Sequence, residues 1–449
     1  MLSRSRRFWS LLTPPMVTRR CTRIVLLVVA AALAVACDER QPASPTLQAT
    51  VPPGVTPTPP IEPTPTEAVV ALTVWLPESL APENDAEGGR LLAARLDEFD
   101  AAQDEVTLNA FAKKDTGRGG LLDLLRAASP VAPAVLPDVI LLSDADLAVA
   151  AREGLIQPLD EMLGAESESG LFAFARTAAR IDGKRMGLPL VADLHHLVYV
   201  TDSVEAPPVS WTDLISDSIA YPFAFADGTH VGDVVLADYT LLGGTIIDAE
   251  GQPALTLDAL TRLLTLYRDA RIAGVVAASN LDWASDDAAW DAFRSSGAPF
   301  AAARASRYLR ERALAESLRH ARLPSIEGRH APPVGRSWNL AVVARDPRRQ
   351  ALAVDLIEHL SEREFVAAWT QGAHVLPADA GALSLWNQGD DYVAFARGEL
   401  SRALPPPSPA ALEAVSLAFL GAIRDVLLSR ASPQTAAAAA VDAVANGLR

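Results

Sequence analysis

The chain has 449 residues, with 55 acidic against 39 basic side chains and a formal net charge of −16. Six of the basic residues, all arginine, lie within residues 1–37, which hold no acid, so the remainder carries 33 (39 less six) against 55, a net of −22. A field of that sign repels phosphate and excludes nucleic acid as a partner.

Arg4, Arg6, Arg7, Arg19, Arg20 and Arg23 precede an uninterrupted apolar run, Ile24 to Ala36. Thirteen helical residues rise about 20 Å, short of the roughly 30 Å hydrocarbon core, so the run reads as a signal peptide rather than a membrane span. A start at Met16 would leave a more ordinary signal. Leu33-Ala34-Val35-Ala36-Cys37 resembles the bacterial lipobox, which implies cleavage before Cys37 and lipid on that cysteine. Residues 38–68 follow as a Pro/Thr-rich tether (QPASPTLQATVPPGVTPTPPIEPTPT from Gln41), too poor in large apolar residues to bury a core. Loss of Cys21 with the signal leaves Cys37 alone, so no disulfide, thiol chemistry or cysteine-ligated metal is expected beyond it.

Beyond the tether, Val69 to Trp75 is a β-branched run that predicts a buried first strand. Leu91, Leu92, Leu96 and Phe99 have helical spacing within 86–102. Val106 to Phe111 predicts a second strand, 119–128 a second helix, and Leu136 to Leu142 a third strand leading into an acidic loop, Ser143 to Asp146. Alternating strands and helices argue for parallel βαβ units, an α/β class in which ligands sit beyond the carboxyl ends of strands. Residues 190–200 are apolar enough to run through the interior. Residues 410–430 and 434–446 predict two closing helices.

The order of several motifs resembles the extracellular solute-binding proteins of ABC importers, the group that includes the maltose-type binding proteins. Gly154-Leu155-Ile156-Gln157-Pro158-Leu159-Asp160 is similar to the family's G-L-hydrophobic-x-P-L-D stretch. Gly183-Lys184-Arg185-Met186-Gly187-Leu188-Pro189 is similar to G-K-x-Y-G-L-P, with Met186 in place of the aromatic. Leu197 to Asp202 stands where the family has L-x-Y-N-K-D, with Val200 and Thr201 departing from it, and Pro208 to Leu214 matches P-x-T-W-x-E/D-L. Phe293 to Ala301, Gly335 to Ala344, Ala351 to Leu360 and Val375-Leu376-Pro377 continue the series.

The resemblance implies a class II periplasmic binding fold: two α/β lobes, 69–194 with 333–375 and 195–332 with 376–449, joined by three crossings. It implies hinge closure on a small solute, a sugar or related polyol, delivered to permease subunits. A monomer anchored through Cys37 on the outer face of the cytoplasmic membrane follows, with no enzyme activity, cofactor or metal. By the family's logic the ligand-binding candidates are Trp75, Ser79, Asp144, Asp193 and His195 from the first lobe and the crossing. Tyr221, Asp233, Tyr239, Trp283 and the Arg304 to Arg307 segment come from the second lobe, and Trp338 follows the return crossing. Acids accept hydroxyl hydrogen bonds and flat rings cover C–H faces, which suits a polyol.

Plainer readings stand beside these. Trp75 fits a core as well as a cleft, and Trp211 reads as packing over the helix after Pro208. Trp283 and Trp290, seven apart, fit one helix face. Adjacent His195 and His196 alternate on a strand and make poor co-ligands of one metal. Asp286-Asp287 and Asp390-Asp391 read as solvated loop acids. A sensory lipoprotein presenting ligand to a receptor keeps the fold and changes the job. An extracellular carbohydrate hydrolase needs only two carboxylates, although no Gly-x-Ser-x-Gly, His-Glu-x-x-His or phosphate-binding loop occurs in the sequence.

Overall fold

The computed structural model describes residues 69–83, 87–103 and 105–447. The signal, the lipobox with Cys37, and the tether lie outside the described residues. The described chain opens with β1 (Val70–Pro77), α1 (Glu87–Ala101), β2 (Val106–Lys113), α2 (Leu121–Ala128), β3 (Val139–Ser143) and α3 (Asp144–Arg152). After α4 (Ala173–Ala178) and a short hairpin of β4 (Arg180–Ile181) and β5 (Lys184–Arg185) come β6 (Leu188–Asp193) and β7 (His195–Val200). A helical stretch follows: α5 (Trp211–Asp217), the hairpin β8 (Ala226–Asp227) and β9 (His230–Val231), α6 (Asp233–Leu241), α7 (Leu257–Ile272) and α8 (Asp286–Ser296). Then come β10 (Phe300–Arg304), α9 (Ala305–Arg312), β11 (Leu318–Ala321), β12 (Arg336–Val342), α10 (Pro347–Leu360), α11 (Arg363–Gly372), β13 (Leu376–Pro377) and α12 (Ala380–Ser384). The chain closes with α13 (Asp391–Arg402), α14 (Pro409–Leu427) and α15 (Pro433–Gly447).

Two sheets organise these elements. The first has the order β13-β6-β12-β3-β1-β2, with β1 parallel to both β2 and β3. β12 returns antiparallel between β3 and β6. Leu72, Val74, Trp75 and Leu76 are all buried, as expected for a strand covered on both faces. The second sheet places β7 between β10 and β11, both antiparallel to it. Behind it Trp211, Tyr221, Phe223, Phe225, Tyr267 and Phe300 form an aromatic core, joined by the apolar faces of α14 and α15.

Two expectations shift. The third strand starts at Val139, and the supposed acidic loop is the first turn of α3, because the Ser143 hydroxyl accepts the Asp146 amide at 3.2 Å and caps the helix. The apolar segment 190–200 leaves the first sheet for the second as two strands parted at Leu194, at the expected lobe boundary. Residues from 376 onward do not pass directly to the second lobe. Leu376 and Pro377 pair with Ala192 and Val191 of β6, and α12 packs on α11, so the first lobe extends past this point. α13 packs on the second sheet through Tyr392 and Phe395 against His196, Tyr308 and His320, and α14 and α15 join the aromatic core behind that sheet.

Candidate functional site

Leu194 alone separates β6 of the first sheet from β7 of the second. Strand register then gathers charge at this junction. β12 sets Arg336 opposite Asp193, and β10 sets Arg304 opposite His195. Two helix starts complete the group: Asp144 begins α3 on the first lobe, and Asp233 begins α6 on the second. Acids favour the first turn of a helix, where the backbone N–H groups are unpaired.

Arg336 ties the lobes together. Its Nε and Nη2 donate to the two oxygens of Asp233 at 3.0 and 2.5 Å, while Nη1 reaches Asp144 at 3.3 Å. Asp144 also accepts the Ser337 amide at 2.9 Å. Arg304 donates to Asp286 at 2.7 Å and to Asp227 at 3.2 Å, and lies 3.6 Å from Asp233. His195 sits between Asp286, 3.0 Å from Nε2, and Asp233, 3.8 Å from Nδ1. Asp193 reaches across to the start of α9, accepting the Ser306 amide at 3.1 Å and its hydroxyl at 2.6 Å.

Burial and pairing split these acids. Burial raises the Asp144 carboxyl above its ordinary range, with the Arg336 guanidinium opposing. Asp233 is equally buried, yet Arg336 and then Arg304 outweigh that cost and hold it below the usual range. Asp286 is likewise pulled down against burial, by His195 and Arg304. Both guanidiniums are held more firmly protonated than usual, because the surrounding acids outweigh desolvation. Behind the cluster, burial pushes Asp146 up to about 6.

The structure brings Asp144, Asp193, His195 and Asp233 of the expected set together, with half-buried Trp338 on the same strand as Arg336. Trp75 is buried in the first lobe against α2 residues, its ring 5.6 Å from the Lys113 ammonium. Ser79 is exposed at the end of β1, its amide bonded to Asp115 at 3.1 Å. Trp283 is half-buried just ahead of α8 rather than on it, so it shares no helix face with Trp290, which is core.

Tyr221 and Tyr239 do not line the junction. Tyr221 packs against Trp211 and Phe223 inside the second lobe. Tyr239 is buried on α6, its hydroxyl donating to the Thr245 carbonyl at 3.1 Å and accepting the Thr256 amide at 2.7 Å.

The two histidines do face opposite ways, but both are buried, since β7 lies between two packed layers. His196 enters an aromatic group with Tyr308, Tyr392 and Phe395, where burial lowers it to about 3 and keeps it neutral. Among the described residues no group of His, Cys, Asp and Glu side chains is placed to hold a metal.

Two of the four acids first taken as solvated change role, while Asp287 and Asp391 are exposed as expected. Asp286 belongs to the cluster, and Asp390 caps α13 while bonding Arg312 at 2.7 Å. Arg336, Asp227 and Asp286 are therefore the members missed from sequence. The one available signal was an arginine directly before Ser337-Trp338 at an expected crossing. A surface cavity of about 190 Å³ on the first lobe, lined by residues including Glu166, Leu190, Arg363 and Asp379, shares no residue with the cluster.

Comparison with known families decides what this two-sheet arrangement belongs to. Residues 94–394, 301 of the 449, match the family model for "bacterial extracellular solute-binding protein". The chain is a member of that family. Solved structures share its fold at low sequence identity. The cyclic α-maltosyl-1,6-maltose binding protein of Arthrobacter globiformis is 19% identical with a TM-score of 0.68, over 85% of this chain and 99% of that one. The GacH receptor of Streptomyces glaucescens, solved unliganded and with acarbose, is 20% identical at 0.67 over 85% and 99%. An ABC transporter solute-binding protein of Thermotoga lettingae, bound with α-D-tagatose, is 18% identical at 0.67 over 85% and 100%. No curated protein matches the sequence.

The fold of this solute-binding protein is thus that of the class II periplasmic binding proteins, and its family places it outside the cytoplasm. Its sequence motifs gain structural reasons. In Pro137-Asp138-Val139, buried Asp138 accepts the Thr73 amide at 2.8 Å and both Arg349 donors at 2.7 Å, fastening β3 to β1 and α10. In the Gly154 to Asp160 stretch, Asp160 accepts the Arg185 amide at 2.9 Å. These residues build the scaffold.

Proposed function

We propose that this solute-binding protein captures a sugar or related polyol between its lobes and delivers it to the permease subunits of an ABC importer. The observation that carries the reading is the interlobe cluster. Asp144 from one lobe, Asp233 and Asp286 from the other, and the two arginines between them converge where the chain switches sheets. Carboxylate and guanidinium edges are the acceptors and donors that fix hydroxyl groups, and half-buried Trp338 lies two residues along the strand from Arg336. The solved structures of similar fold include proteins bound to maltotriose and to α-D-tagatose, which supports carrying a saccharide class over to this chain. Closure would then follow differential affinity for the closed form.

The protein acts as a binder rather than a catalyst. Asp144, Asp233 and Asp286 are each tied to an arginine and Asp193 to the start of α9, an arrangement suited to holding a ligand. We further read the chain as a monomer, tethered by lipid on Cys37 and the Pro/Thr spacer, which raises its local concentration beside the importer. Calorimetric titration and thermal shift with mono- and oligosaccharides test the binding claim. A saturable shift with at least one sugar is expected, and shifts only with peptides or metal ions would overturn it. For the anchor, Cys37→Ser should move the protein from the membrane fraction to the soluble one.

A further inference from the structure

The cluster carries more acid than base. Arg336 is shared by Asp144 and Asp233, and Arg304 by Asp286 and Asp227, so four carboxylates contact two guanidiniums, and even counting the His195 imidazole beside them the acids outnumber the bases. Asp193 lies close enough to act on Arg304 and adds a fifth carboxylate. Surplus charge at a partly buried site is costly unless a cation meets it.

A second observation points the same way. His195 is 3% exposed and stands between Asp233 and Asp286, yet among the described residues neither of its ring nitrogens has a hydrogen-bond partner of normal geometry. The polar interior of the junction is therefore incomplete. It is also reachable, because the side chains of Arg304, Arg336 and Asp286 are each between a fifth and a quarter exposed and that of Asp227 is more than half exposed. A metal ion is a poor candidate for the missing cation, since no described group of side chains has the geometry to hold one.

We propose that the cluster selects an amine-bearing sugar or polyol over its neutral and anionic counterparts. The inference rests on the sugar-binding reading above and adds the charge of the solute. An ammonium group would donate charge-assisted hydrogen bonds to the free edges of Asp286 and Asp227, in a partly desolvated setting where such bonds are strong. A carboxylate or phosphate would meet guanidiniums whose charge is already more than matched, inside a net negative field.

Calorimetric titration with matched sets tests this: glucose, glucosamine and glucuronate, then cellobiose, the β-1,4-linked glucosamine dimer and cellobiuronate. In at least one set the amine form should bind at least tenfold tighter than the neutral form, with the acid form weakest, and the gap should narrow as salt rises. Asp227→Asn, at an exposed position, and Asp286→Asn should each cut the amine-to-neutral ratio at least fivefold while circular dichroism stays native. Equal or weaker binding of the amine forms, or tighter binding of the acids, overturns the charge selection and leaves the sugar reading intact. An unchanged ratio in a folded Asp227→Asn protein overturns the assigned contact. Absence of binding by every sugar in both sets sinks both readings together.

Discussion

Replacing Arg336 by methionine keeps most of its stem and removes its charge, which isolates what the guanidinium does. Asp233 would lose two hydrogen bonds, at 3.0 and 2.5 Å, and Asp144 would lose one at 3.3 Å. Breaking a buried pair by removing one partner costs about 3–5 kcal/mol. Two features bring the figure down here: the Arg336 side chain is 22% exposed, and Arg304 remains 3.6 Å from Asp233. A loss of about 2–3 kcal/mol at pH 7 is expected.

The sign of the pH dependence follows from Asp233. In the native protein its carboxyl lies below the unfolded value, so its contribution is present above about pH 4 and fades as pH falls through the folded value. In the variant, burial without Arg336 drives the same carboxyl upward, which penalises the folded state only above about pH 4. The deficit should therefore be largest near neutrality and shrink toward pH 4. Urea unfolding of ligand-free protein at pH 7 and pH 4 measures both values. A variant as stable as the parent at pH 7, or one with the same deficit at both pH values, would refute the reasoning.

Three further outcomes are expected. Asp238, buried beneath Tyr267 (3.2 Å), is pushed up to about 8 by desolvation, so it penalises the fold increasingly between about pH 4 and pH 8. Asp238→Asn should then leave stability unchanged near pH 4 and raise it above pH 8, by at most about 6 kcal/mol; a gain that does not grow with pH would count against the assignment. Gly335→Ala would set a methyl 2.4 Å from the Phe174 ring at the crossing into β12 and should cost about 1–3 kcal/mol by chemical unfolding. Ser306→Ala removes the 2.6 Å bond to Asp193 and should cost about 1.5 kcal/mol, with calorimetry showing whether the lobes still unfold together.

Sequence pattern reached as far as local physics could carry it. The run through Val74 and Trp75 had to be a covered strand, and the closing helices at α14 and α15 fall within a few residues of their expected bounds. Lobe membership was harder at Leu376-Pro377, because a two-residue strand has no periodicity of its own and only its pairing with β6 assigns it. The site was half legible. Asp144, Asp193, His195 and Asp233 came from the family's pattern, whereas Asp286 looked like a loop acid. Its partners Arg304 and His195 are distant in sequence, and only the β7–β10 register brings them beside it. Tyr221 and Tyr239 illustrate the opposite limit, since residue type alone does not separate an aromatic core from an aromatic cleft.

The position of β12 also governs how the protein is made. Because residues 336–342 wedge between β3 and β6, the first sheet stays split until they arrive. A chain emerging N-terminus first must therefore complete everything from β7 to β11 before either end of the first lobe can close. Contacts over such sequence separations form slowly. Slow closure keeps the polypeptide threadable, a useful property in a protein whose work begins only after it has crossed the membrane.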